Sequence, residues 1–219
     1  MGNRAIITID VKPKERNYLP RLGVYLHWNG GRDSVEAFLE YCRLKNYRSP
    51  EKDCYGWARF AQVISNFFGG SNSIGIDIVS RLPSGRYCDN GVYFIRNWKI
   101  TKRLFEGYEQ DEYSLTDMLI AIDKSQPVEE QLGEEFITAP YIETSKLKIG
   151  DEVFISVSGG STYEKHKIVG FGNKGNVRNG RNIGGVPFVD LYENVDELGN
   201  TTFSWNINNY LLNKQYKSK

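Results

Sequence analysis

The sequence predicts an α+β protein: a two-layer α/β sandwich with a mostly antiparallel sheet, followed by a small SH3-like β-barrel. Three observations predict it. Hydrophobic periodicity up to residue 124 gives the order β-β-α-α-β-β-β-α. The polar, acidic stretch 125–140, bracketed by Pro127 and Pro140, reads as a linker. From Leu147 the composition changes to short strand-like runs separated by Gly, Asn and Ser. The expected domains are residues 1–135 and 141–219.

Ala5–Val11 is rich in β-branched residues and reads as a strand, and Pro13, Asn17 and Pro20 mark a loop after it. Gly23–Trp28 is a second strand, with Val24 and Leu26 on one side and Tyr25 and His27 on the other. Asn29-Gly30-Gly31 breaks the chain. Asp33 is the expected helix cap, with Glu36 in capping-box position. Val35, Phe38, Leu39 and Cys42 form the apolar face of that helix, which should end near Lys45. Asp53 caps a second helix with a stripe of Trp57, Phe60, Ala61, Ile64 and Phe68, stopped by Gly69-Gly70. Ser73–Val79 is strand-like. Asp89-Asn90-Gly91 is a turn before the strand Val92–Arg96, and Trp98–Leu104 follows as another. Ser114 starts a third helix with Asp117 in capping-box position and Leu115, Met118, Leu119 and Ile122 as its face. The second domain should contain strands Glu152–Val157, His166–Phe171, Pro187–Tyr192 and Thr201–Ile207.

Composition narrows the function. The chain has 219 residues, 40% of them hydrophobic and 13% aromatic, enough for a packed core and unlike a disordered chain. A net charge of +1 gives no global field towards nucleic acid or membrane. Cys42, Cys54 and Cys88 fit no zinc or redox spacing, so three reduced thiols are expected, two of them at least partly buried on helices. No metal or other cofactor is implied. No secretory leader is legible at Met1–Arg4, and no apolar run is long enough to span a bilayer, which makes the cytoplasm the expected compartment. There is no phosphate-binding P-loop, no GxGxxG and no Ser/His/Asp motif, which argues against the common nucleotide-dependent and hydrolytic enzymes.

Local clusters carry more. His27, Asn29 and Arg32 flank Gly30-Gly31 before a helix N-terminus, a pattern that can surround a phosphate or carboxylate with His27 as general acid or base. A tight strand-to-helix turn explains the same residues. Lys165, Lys167, Lys174, Arg178 and Arg181 lie in or beside a Gly/Asn-rich stretch without acids, which can track a phosphate chain or be a solvated loop. Residues 106–135 carry ten acids against Lys124 alone, either a phosphate mimic for a partner or a solvated face. Asp77 and Asp89 are possible metal or acid–base carboxylates, though Asp89 suits a turn and Asp77 an outward strand position.

Five segments carry a family resemblance over about residues 1–130: Asn3-Arg4-Ala5-Ile6-Ile7, Tyr25-Leu26-His27-Trp28-Asn29-Gly30-Gly31, Tyr55-Gly56-Trp57-Ala58-Arg59, Asn66-Phe67-Phe68-Gly69-Gly70 and Asp89-Asn90-Gly91-Val92-Tyr93. Together they resemble small proteins carried by phages, plasmids and conjugative elements of Firmicutes. Such elements often counter host defence, and the resemblance extends to anti-CRISPR proteins aimed at type II effector nucleases. What it implies is an inhibitor whose partner is a CRISPR effector nuclease, its guide RNA or both. Trp28, Asn29, Gly30 and Gly31 belong to the family motif, and His27 is the one residue within the matching motifs with a side chain suited to catalysis. Two other readings stand beside this one. One is a small ribonuclease-like enzyme using His27 with Arg32 or Arg59. The other is a nucleic-acid-binding regulatory module without catalysis.

Overall fold

The computed structural model describes residues 3–10, 21–70, 72–79, 89–109, 114–139, 146, 148–156, 163–171, 177–178, 181–182, 187–189 and 215–216. The chain divides into two compact units, Met1–Gly133 and Glu134–Lys219. It is α+β, with a mixed five-stranded sheet in the first unit.

That sheet contains β1 (Ala5–Ile9), β2 (Arg21–Leu26), β3 (Ile74–Val79), β4 (Val92–Arg96) and β5 (Lys99–Leu104), in the order β3-β2-β1-β4-β5. The β1–β4 pair is parallel and the other three pairs are antiparallel. Register places Ala5, Ile7, Val24, Leu26, Tyr93 and Ile95 on one face, and all six are buried. On the other face Ile6, Val92 and Phe94 form a buried cluster with Tyr25, Val79 and Leu104 packed against it. The central strand β1 is thus buried on both sides, which accounts for its continuous apolar sequence.

Asn97 and Trp98 join β4 to β5 with φ of 49° and 59°, the left-handed pair a two-residue hairpin requires. Positive φ is unfavourable for a residue as bulky as Trp98. Its buried side chain is held by an indole N–H bond to the Tyr47 carbonyl at 2.6 Å and by the Phe60 ring at 5.6 Å.

Helix α1 (Arg32–Leu44) buries Val35, Phe38, Leu39 and Cys42, the stripe expected from periodicity. Its N-terminus differs from expectation. Gly31 occupies the cap position and Asp33 lies in the first turn, where its carboxylate accepts the Ser34 N–H at 2.6 Å. Glu36 binds Arg32 rather than closing a capping box. Helix α2 (Cys54–Phe67) starts at Asp53, whose side chain accepts from the Gly56 N–H as expected, and Phe60 and Ile64 are buried with Val63. Helix α3 (Leu115–Lys124) is capped by Ser114. Cys42 is buried, but Cys54 is exposed at the start of α2, contrary to the expectation for the helical thiols.

The stretch 125–139, expected to be a linker, is folded. A 3-10 turn spans Val128–Glu130 and helix α4 spans Glu134–Thr138. Buried polar groups hold the first part. The fully buried Lys45 side chain donates to the Glu130 carbonyl at 2.5 Å and pairs with its carboxylate at 3.1 Å. Buried Asp123 accepts from the Tyr41 hydroxyl at 2.9 Å and from the backbone N–H groups of Leu132 and Gly133. A linker has no such partners, and net charge alone did not reveal them.

In the second unit β6 (Glu152–Ser156) pairs antiparallel with β7 (Tyr163–Phe171). The short strands β10 (Pro187–Val189) and β11 (Gln215–Tyr216) flank them, and β8 (Val177–Arg178) pairs antiparallel with β9 (Arg181–Asn182) in a separate two-stranded sheet. Phe136 of α4 stacks on Tyr163 at 4.3 Å and meets Phe154 edge-on at 5.2 Å. No closed barrel forms among the described residues. The expected strand Thr201–Ile207 lies outside them. No helix of the described residues is long and apolar enough to cross a membrane.

Candidate functional site

Three of the five resemblance segments meet at one end of the five-stranded sheet. Asn3 N–H donates to the His27 carbonyl at 3.2 Å, and Gly30 N–H to the Asn3 carbonyl at 2.8 Å. Asn90 N–H donates to the Arg4 carbonyl at 2.9 Å, and its side-chain amide binds the Asn3 side chain. Arg4 grips Asp89 through its backbone N–H and two guanidinium nitrogens. The Arg4 hydrogen bonds hold the Asp89 carboxyl below the usual carboxylate range. Asp89 is therefore a strand clamp and not a spare catalytic acid. Asp77 accepts from its neighbour, the Ile78 N–H, at 2.7 Å.

Residues 27–32 cross this sheet end. His27 N–H is bonded to Ser73 on the β3 side. Gly30 lies over β1 and β4, touching Asn3 and accepting from the Tyr93 hydroxyl at 3.1 Å. Arg32 reaches Glu109, which also binds Arg103 of β5. Three strand spacings amount to ~14 Å, and five extended residue steps reach ~17 Å, so the span is feasible. A Cβ at Gly30 would stand 2.6 Å from the Asn3 oxygen and 2.7 Å from the Ala5 Cβ. Close backbone approach to β1 explains that glycine. Asn29 turns the chain at φ 53° and donates to the Ser34 hydroxyl at 3.3 Å.

His27 lies on the β3 side of this crossing, and the Arg32 side chain reaches the β5 side. His27 is exposed, with Nδ1 3.2 Å from the Tyr25 hydroxyl and its ring 5.0 Å from that of Trp28. Arg32 binds Glu36 at 2.6 Å and Glu109 at 3.5 Å. Arg59, on α2, places its guanidinium 4.7 Å over the Tyr47 ring, whose hydroxyl burial pushes up to about 12. No hydrogen bond or ion pair among the described residues joins His27 to Arg32 or Arg59.

The cations expected to track a phosphate chain are partly engaged. Lys165 binds Glu135 at 2.5 Å, and Lys167 stands across from Glu152 in the β6–β7 register. Arg178 and Arg181 face each other in the backbone register of β8 and β9. Lys174 lies outside the described residues. Several acids of the stretch 106–135 are also engaged: Glu109 with Arg32 and Arg103, Asp123 with the turn it holds, Glu130 with Lys45 and Glu135 with Lys165. Among the described residues no group of three or more His, Cys, Asp or Glu is arranged to hold a metal ion.

A pocket of about 360 Å³ containing two arginines lies at the β5 corner, and the sequence did not single it out. Arg32, Lys102, Arg103, Phe105 and Glu109 line it with Ile100 and Thr101. The Arg103 guanidinium sits between two rings, 4.5 Å from Tyr93 and 3.8 Å from Phe105. It also donates to the Asn90 carbonyl at 3.0 Å and to the Asn90 side-chain oxygen at 3.2 Å. Hydrogen bonding to Glu36, then the charge of Glu36, raise the Arg32 pKa; desolvation opposes this and Glu109 adds to the rise. Sequence spacing could not reveal the pocket, because the rest of α1 and all of α2, β3 and β4 lie between its two arginines in the chain.

Comparison with protein-family models, characterised proteins and solved structures gives no match.

Proposed function

We propose that this chain is a mobile-element anti-defence protein that inhibits a type II CRISPR effector nuclease by holding its guide-RNA complex without cutting it. The proposal places it in the host bacterial cytoplasm. The observation that favours holding over cutting is that His27 lies toward β3 while the Arg32 side chain is engaged by Glu36 and Glu109 on the β5 side. A general acid or base must reach the proton it moves, directly or through one water, and phosphoryl transfer also needs a cation at the reacting phosphate. His27 has the Tyr25 hydroxyl and the Trp28 ring beside it instead.

Residues 3–7, 25–31 and 89–93, three of the segments that carry the resemblance, meet at one sheet end. We read the second unit as the SH3-like module of such a protein. An experimental structure in which its sheet stays open would overturn that part.

The test incubates the full chain with a type II effector and its guide, then examines guide and target on denaturing gels. Intact guide with blocked target cleavage supports the proposal. Shortened guide overturns it in favour of the ribonuclease reading. Unimpaired interference in cells expressing the protein removes the anti-CRISPR role.

A further inference from the structure

We propose that the Arg32–Arg103 pocket is a binding site for a phosphate of single-stranded RNA, and that Glu109 occupies the phosphate position in the free protein. This deepens the RNA-contact part of the reading above and rests on it.

Two arginines, Arg32 and Arg103, meet the carboxylate of Glu109 in the pocket, while the Lys102 ammonium lies over Phe94 on the other sheet face and Glu36 holds Arg32 from α1. The two oxygens of Glu109 are divided between the arginines, Oε1 to Arg103 and Oε2 to Arg32. A phosphate presents several acceptor oxygens to the same two forks. Glu109 is the displaceable partner, since its side chain is 43% exposed while that of Arg103 is 13% exposed.

Arg103 is also preorganised. Two rings and both Asn90 oxygens fix its plane before any ligand arrives, which lowers the ordering cost of binding. Arg32 is aimed from the first turn of α1 by its bond to Glu36. Tyr108, next to Glu109, is fully exposed. An exposed ring beside a pocket with two arginines offers a stacking surface for a base, the pairing used on single strands. A carboxylate-bearing peptide would use the arginines but not the ring.

The experiment measures anisotropy of a labelled single-stranded oligouridylate across a salt series, with the full chain and two variants. Glu109→Gln removes the internal competitor and should tighten binding severalfold. Arg32→Ala should weaken it about tenfold and lower the salt slope by about 1. Tightening cannot come from a damaged fold, so Glu109→Gln keeps the test decisive if Arg32→Ala is unstable. Unchanged affinity in Glu109→Gln, or competition by an acidic peptide but not by unlabelled RNA, overturns the site. If interference is still blocked while both variants bind RNA like the parent, the site fails and the function stands. Variant-dependent RNA binding without any block of interference has the opposite meaning.

Discussion

Gly30 and Asp89 show how much single residues govern the sheet end. Gly30→Ala forces a methyl group against β1 and should cost about 2 kcal/mol, as overpacking typically does. Urea unfolding measures it. The Asp89 carboxyl titrates below its unfolded value because Arg4 binds it. Its contribution to stability is therefore present above the unfolded pKa and is lost as pH falls through the folded one. The stability gap between the parent and Asp89→Asn should hold at neutral pH and close in that acid range, by denaturant titration at several pH values. At this scale the sequence was a partial guide. His27, Arg32 and Gly30 stood out correctly as a group near a helix start. That His27 lies toward β3 and the Arg32 side chain toward β5 depends on strand order, which no local pattern encodes.

Elements were more legible, where a local rule governs them. The stripe of α1 and the caps Asp53 and Ser114 follow from spacing alone. Asp53→Ala should cost about 1 kcal/mol, the usual value of an N-cap, read by thermal or urea unfolding. Asp33 misled because a carboxylate suits both the cap and the first turn; the extended backbone at Gly31 decided between them. The turn after α3 was hidden for another reason. Asp123 reads as one of the acids of the stretch 106–135 and Lys45 only as the end of α1, yet each is buried beneath it. Asp123→Ala leaves two backbone N–H groups and the Tyr41 hydroxyl without their acceptor. It should cost about 3 kcal/mol, each abandoned buried group costing roughly 1–3 kcal/mol. Equilibrium unfolding checks this, and a loss well under 1 kcal/mol would contradict the bracing role.

For the whole molecule, the sequence located the change of composition after the first sheet, and two compact units are present. The end of the first unit follows from particular contacts. Glu130 holds Lys45, and Leu132 and Gly133 hold Asp123, so these residues belong to the α1–α3 layer. A chain ending at Gly133 should unfold in one cooperative step, by circular dichroism. One ending at Gln126 should be markedly less stable, because Lys45 and Asp123 would lose these partners. The second unit was the less legible part. Outside β6 and β7 its strands are short, and the pairing of β6 with β11 joins residues far apart in the chain.

The parallel β1–β4 pair also imposes an order on synthesis. Ile6 leaves the ribosome well before its partner Val92 is made. In the interval β1 can pair with β2 on one side only, leaving its other backbone edge open. The sheet end that gathers residues 3–7, 25–31 and 89–93 cannot form until the last of these is translated. A ribosome stalled before Val92 would carry a nascent chain with an open β-edge, a natural substrate for a chaperone.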